Sequence, residues 1–231
     1  MARINQKAFA RTAIFREASR QFLEKGYSGT TLVSICKGLE MGSTNLIRYF
    51  PAKEQMLTML VDLLCRFRWK RMEEETNEGN SSLMAICLEL TFLTSVCEDD
   101  PMVRDLFLSA YASPMCARKI RCNNAERAKQ VFGEHCLGWT DEQFAQAGIL
   151  YSGIEYAMLM TAEDPLSLES RISCALNNLL SIFGIPEEIR REEIRAVLAL
   201  DYKNLGKQVL QEFKAYVDES NEQALVDLVK R

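Results

Sequence analysis

Apolar residues recur at helical spacing along nearly the whole 231-residue chain, and no useful stretch alternates as a strand does. Ile14, Ala18 and Phe22 stand at i, i+4 and i+8, with Phe9, Phe15 and Leu23 beside them. This spacing predicts a helix over about 7–25. Gly26 then ends it as a left-handed cap, and Thr30 or Thr31 offers an N-cap oxygen to the next helix. That second helix is short, turns Leu32, Ile35 and Leu39 inward, and stops near 38–40. A third runs over about 43–50, ending before Pro51, which disfavours a helical residue ahead of it. A long helix follows over about 52–75, and then the polar run TNEGNSS at 76–82.

Prolines punctuate the remainder. Asp100-Pro101, Ser113-Pro114 and Asp164-Pro165 each pair an N-cap residue with a proline at the first helical position. Thr140 and Gln143 have the spacing of a capping box. Gly184 and Pro186, followed by Glu187 and Glu188, close one helix and open another with acids at its positive end. Helices are expected near 82–98, 101–112, 114–135, 141–162, 165–183, 187–203 and 204–229, the last with a break near Ser220. Only 11 Gly and 5 Pro in so long a chain fit this reading. The fold class is all-α, with about eleven helices and no repeats.

Composition excludes several classes of protein. With 48% hydrophobic and 26% charged residues the chain is neither disordered nor fibrous. Its longest apolar run, 143–162, is broken by Gln146, Ser152 and Glu155, so no membrane span is expected. The N-terminal residues lack the apolar core and cleavage site of a secretory signal, which points to the cytoplasm. The eight cysteines are scattered without a CxxC, as core fillers in a reducing compartment are. Cys116, Cys122 and Cys136 share a region with His135, but their spacing matches no structural zinc motif, so no metal site is assigned. There is one His and no Gly-rich phosphate loop or paired nucleophile, so the reading is of a non-enzyme without a cofactor. Charge is uneven. Residues 1–60 hold nine Lys/Arg against four Glu, a net of +5, so the rest carries −9 of the total −4. A basic head on an acidic body suggests that the head meets a polyanion.

One longer and two short helices with a tight turn form a trihelical helix-turn-helix pattern, although any small three-helix bundle has the same periodicity. The residues themselves add a resemblance. Phe22-Leu-Glu-Lys-Gly-Tyr27, Thr30-Thr31, Ile35, and Leu46 through Arg48-Tyr-Phe-Pro-Ala-Lys-Glu54 resemble the N-terminal domain of the tetracycline-repressor (TetR) family over about residues 8–60. The resemblance implies a helix-turn-helix DNA-binding domain at 1–52, continuing into a linking helix at 52–75. A larger helical domain for ligand binding and dimerisation follows at 76–231. It implies a cytoplasmic homodimer, most simply a repressor, that binds palindromic double-stranded DNA and is released by a small-molecule effector. Thr31 would touch a phosphate, and Ser43, Thr44 and Asn45 would face the major groove, with Asn45 suited to bidentate reading of adenine. Arg48 would reach a phosphate or a base, and Tyr49 and Lys53 would each meet a phosphate. By residue type alone, Thr31 also fits a plain cap, Tyr49 a core aromatic and Lys53 a solvated lysine. The chain departs from the family at Glu40, where a turn Gly is usual, at Gly42, where a Ser-like cap is usual, and at Ile47, where Tyr is usual. A positive φ at Glu40 would cost roughly 1 kcal/mol. The alternative is a helical protein-interaction scaffold without DNA binding.

In the body, the resemblance implies a four-helix dimer interface, assigned to the mostly apolar helices at 141–162 and 165–183 with Ile172, Leu176, Leu179 and Phe183 as its contacts; by pattern alone the two also fit a core helix pair in a monomer. The effector pocket is assigned to Phe92, Met102, Phe107, Tyr111, Phe132, Trp139 and Tyr151. Glu155, the one charge among residues 143–162, is either held by hydroxyl groups or on an outward face, or else is the polar anchor of that pocket.

Overall fold

The computed structural model describes residues 2–76 and 82–219, and of residues 2–8 and Ser82 the backbone alone. Most of the polar run, residues 77–81, lies outside the described residues, as do 220–229 with the break near Ser220. Among the described residues the chain forms eleven helices and no strand. They are α1 (Ala2–Lys25), α2 (Leu32–Gly38), α3 (Ser43–Tyr49), α4 (Lys53–Glu75), α5 (Ser82–Asp99), α6 (Pro101–Ala112), α7 (Pro114–Phe132), α8 (Asp141–Met160), α9 (Leu168–Ile182), α10 (Glu187–Leu198) and α11 (Tyr202–Glu219). None is long and apolar enough to cross a membrane.

Side-chain caps open five of the six helices from α6 to α11. Asp100 accepts hydrogen bonds from the backbone N–H groups of Met102 and Val103 and opens α6 ahead of Pro101. Ser113 does the same for α7 through Cys116 N–H, and Thr140 with Gln143 closes a capping box on α8. The third proline pair behaves differently. Asp164 and Pro165 lie in an irregular turn, and Ser167 is the cap of α9, accepting from Ser170 N–H. A break at 199–201 separates α10 from α11, where the Asp201 carboxylate accepts from Asn204 N–H.

The hub of the body is α5, which touches every helix from α4 to α11. From Leu83 to Cys97 all its side chains but Met84 are buried. A helix apolar on all sides belongs in a core, and its few hydroxyls satisfy themselves locally. Thr91 donates to Cys87 C=O at 2.8 Å and Thr94 to Leu90 C=O at 2.8 Å. At the other end of the chain α1 packs on α2, α4, α6 and α11.

The contacts assigned to a dimer interface are spent inside the single chain. Ile172, Leu176, Leu179 and Phe183 are each at most 2% exposed, and the Phe183 ring stacks on Phe132 with centroids 3.9 Å apart. They form the inward stripe of α9. The apolar side chains that α8 leaves exposed are instead Ile149, Leu150, Tyr156 and Met160. Leu176→Ala is accordingly expected to cost about 2–5 kcal/mol in chemical denaturation, as a buried leucine does. A cost under about 1 kcal/mol would show that the α9 stripe is not core.

Candidate nucleic-acid interface and buried polar cluster

The α2–turn–α3 unit is built on a few fixed points. Thr31 caps α2, accepting from Ser34 N–H at 3.0 Å, while the Ser34 hydroxyl accepts from Thr31 N–H at 3.1 Å. Gln21 ties this cap to α1 by donating to Ser34 C=O at 3.0 Å. At the other end of α2, Met41 N–H bonds to Cys36 C=O and Glu40 N–H to Lys37 C=O. This crossed pair is a Schellman closure, which needs a left-handed residue at the position of Glu40. Glu40 adopts it with φ +50°, the only non-glycine positive φ among the described residues. Gly42 then starts α3 without a side-chain cap, its C=O receiving Asn45 and Leu46 N–H.

Leu46 is fully buried and anchors α3, so the rest of the helix turns outward. Ser43, Thr44, Asn45, Ile47 and Arg48 are exposed, and Tyr49 is half-buried. Thr31 is exposed beside them in sequence order at the start of α2. Lys53 is differently engaged. Its ammonium donates to Tyr27 C=O at 2.8 Å and Thr30 C=O at 2.6 Å, and lies 3.8 Å from the Tyr27 ring centroid. Half-burial lowers its pKa against the opposing field of Asp105. Of its three N–H donors one is left for another acceptor.

The same α1–α2 turn is gripped from α6. Asp105 accepts from Ser28 N–H at 2.8 Å and from the Ser28 hydroxyl at 2.6 Å. Gly26 has φ +75°, and a Cβ there would stand 2.6 Å from an Asp105 carboxylate oxygen. Arg16 of α1 also donates to Val217 C=O of α11.

The body encloses a charged cluster. Arg68, Glu89 and Glu155 are at most 1% exposed, Asn124 2% and Arg127 7%. Glu89 accepts from Arg68 Nε at 2.9 Å and from Arg127. Arg127 also donates to Cys65 C=O and stacks on Trp69. Glu155 accepts from Tyr111 at 2.8 Å and Asn124 at 2.6 Å, and one of its oxygens is 3.8 Å from Arg68. Burial pushes the Glu155 pKa up, while Arg68 and the two donors hold it down. Burial likewise raises the phenols of Tyr111 and Tyr151.

Of the residues assigned to a pocket, the structure brings Tyr111, Tyr151 and Glu155 to this cluster, with the Phe92 ring 5.7 Å from the Arg68 guanidinium. Phe107 is buried in the core. Phe132 and Trp139 pack instead on Phe183, and Met102 is exposed at the start of α6. Glu155 lies on no outward face. The residues that sequence reasoning missed are Arg68, Glu89 and Arg127. Glu89 carried the same signal as Glu155, being the lone charge among residues 83–97. The cysteines and histidine near 116–136 do not converge: Cys116 pairs with Thr58, Cys136 reaches Phe183 C=O, and Cys122 is exposed.

The Glu40 conformation yields a measurable expectation. Glu40→Gly should raise stability by up to about 1 kcal/mol, relief of left-handed strain exceeding the added unfolded-state entropy. A loss of stability in urea denaturation would mean that the Glu40 side chain holds the turn by other contacts.

Residues 14–60 match the bacterial regulatory proteins of the tetR family. No curated protein gives a significant match. Among solved structures, the chain is similar to Thermus thermophilus FadR, a TetR-family transcriptional repressor in complex with lauroyl-CoA. The two are 20% identical with a TM-score of 0.58, over 77% of this chain and 96% of that one. It is also similar to a TetR-family transcriptional regulator of Pectobacterium atrosepticum, at 15% identity and a TM-score of 0.53, over 77% and 94% of the two chains. At such identities the likeness establishes the fold. Residues 14–60 thus match the N-terminal helix-turn-helix domain of the tetR family of bacterial regulatory proteins, and the chain as a whole shares the all-helical fold of these solved structures.

Proposed function

We propose that the chain is a dimeric, effector-responsive regulator of transcription, in its simplest form a repressor, that binds a palindromic operator. The observation that carries this reading is α3. It presents Ser43, Thr44, Asn45 and Arg48 on its exposed side while Leu46 holds it from within. Polar side chains of this length at the start of a short helix suit base edges in the major groove. Thr31 and Tyr49 would fix register on phosphates. Lys53 would add its remaining N–H while keeping the turn in place. The functional division follows the sequence: residues 1–52 read DNA, α4 links, and 76–231 senses and dimerises.

Dimerisation is assigned to the outer face of α8, where Gln146, Ile149, Leu150, Gly153, Ala157 and Met160 recur at helical spacing and are exposed. An apolar stripe on a two-fold interface is self-complementary, and α9 adds small polar side chains, Ser170, Cys174, Asn178 and Ser181, beside it. Effector sensing is assigned to the buried cluster. The Thermus thermophilus repressor was solved with lauroyl-CoA, which is in keeping with a small-molecule effector here. Two of the helices that meet the cluster also hold the head: α4 carries Arg68 and Lys53, and α6 carries Tyr111 and Asp105.

Two experiments test the reading. Asn45→Ala should weaken operator binding by about 1–3 kcal/mol and relax discrimination at one base pair. Equal weakening on specific and random duplexes would end the base-reading role, and no binding by the unmodified chain at low salt would favour the scaffold reading. Ile149→Glu with Leu150→Glu should give folded monomers by light scattering, since both side chains are exposed in one chain. A dimer that survived both changes would move the interface elsewhere.

A further inference from the structure

The cluster has open valences. Seven buried side-chain polar atoms among the described residues lack a hydrogen-bond partner, and three of them meet here: Arg68 Nη1, Glu89 Oε2 and the Tyr151 hydroxyl. Buried polar groups are rarely left this way, and a concentration of them asks for an occupant. Together they offer a donor, an acceptor and a hydroxyl that can act as either. Their surroundings are charge-balanced: Arg68 and Arg127 face Glu89 and Glu155, and Asn124, Tyr111 and Tyr151 complete the wall without formal charge. A ligand with a net charge would unbalance this buried site, at a high desolvation cost.

The cluster also lies just beneath the surface. A depression of about 370 Å³ between α4 and α7 is lined by Arg66, Trp69, Lys119, Asn123 and Arg127, among others. Arg127 is shared: it lines the depression, stacks on Trp69 and holds Glu89. Arg127 thus links the depression to the carboxylate that carries one of the unpartnered oxygens, and a depression of this volume suits a small organic molecule. The larger groove between α4 and α11, lined by Leu63, Phe67 and Tyr216, offers no comparable open valence.

We infer that the effector is an uncharged molecule with an acceptor and a donor side by side on an apolar skeleton. It enters past Arg127 and bonds to Arg68, Glu89 and Tyr151. An amide, or a hydroxyl next to a carbonyl, has this chemistry. The inference rests on the effector-responsive reading above, but its test needs no DNA.

The probes are hexanamide, hexanoate and hexylammonium, equal in length and differing in charge, titrated separately at pH 7.5 with thermal denaturation and calorimetry as readouts. Hexanamide should raise Tm saturably and bind at least about tenfold tighter than either ion. Tyr151→Phe removes only a hydroxyl without a partner, so the free protein should keep its circular dichroism and its Tm. Its affinity for hexanamide should fall about tenfold, the effect of one buried hydrogen bond. Equal or tighter binding of hexanoate would make the basic depression the site and overturn the inference. So would the absence of saturable hexanamide binding, or an unchanged affinity in Tyr151→Phe, which would leave the cluster a purely structural one. Operator binding measured on the same preparations reports separately on the regulatory reading: a chain that binds DNA but not hexanamide fails only the present inference.

Discussion

The ion pair between Arg68 and Glu89, sealed in the body at 2.8 Å, constrains everything packed around it. Burying such a pair is not a net source of stability, because the desolvation of both ions offsets their attraction. Its effect is on arrangement. Removing one partner would leave an uncompensated charge in the core, at about 3–5 kcal/mol. The helices that supply and screen these charges therefore have little freedom to slide. Arg68 fixes α4, Glu89 the central α5, Arg127 and Asn124 α7, and Glu155 α8. Tyr111 brings α6 into the same set.

That arrangement matters to the head because two of these helices end on it. In α4, Lys53 and Arg68 are fifteen residues apart, or about 22 Å along a helix. In α6, Asp105 and Tyr111 are about 9 Å apart on the same basis. At their near ends, Lys53 and Asp105 both grip the turn at 26–30, which in turn sets the start of α2. A shift of either rod at the cluster is delivered to a single turn, and Gly26 allows the carboxylate of Asp105 to sit directly against it. An effector would act by preferring one setting of these rods over another.

Much of this was legible in the residues, and the failures have definite causes. The caps at Asp100, Ser113 and Thr140 could be read because each pairs a short polar side chain with a proline or a Gln at a fixed offset. Asp164 had the same appearance, yet Ser167 stood three residues on and took the role. The α9 stripe was identified correctly as apolar but given to the wrong partner. In a helix pair with so few charges, periodicity marks the apolar faces without saying which one the chain keeps for itself. Glu155 and Glu89 were both readable as lone charges in apolar runs. Arg68 and Arg127 were not, because arginine at a helix position usually reaches solvent with its head group. The strain at Glu40 followed from the turn, once that position was seen to need a left-handed residue.

The distribution of thiols has a practical consequence. Six of the eight cysteines are buried. Burial pushes the Cys65 thiol up to about 11 and raises those of Cys87 and Cys97 further. Reagents in solution therefore reach Cys122 on α7 and Cys174 on α9, the two exposed ones. The unaltered chain thus comes with its own pair of labelling positions. Cys174 lies on the face assigned to self-association, so a fluorophore or spin label there would be close to its twin in a dimer. Cys122, on the helix that lines the depression over Arg127, would report on that region instead.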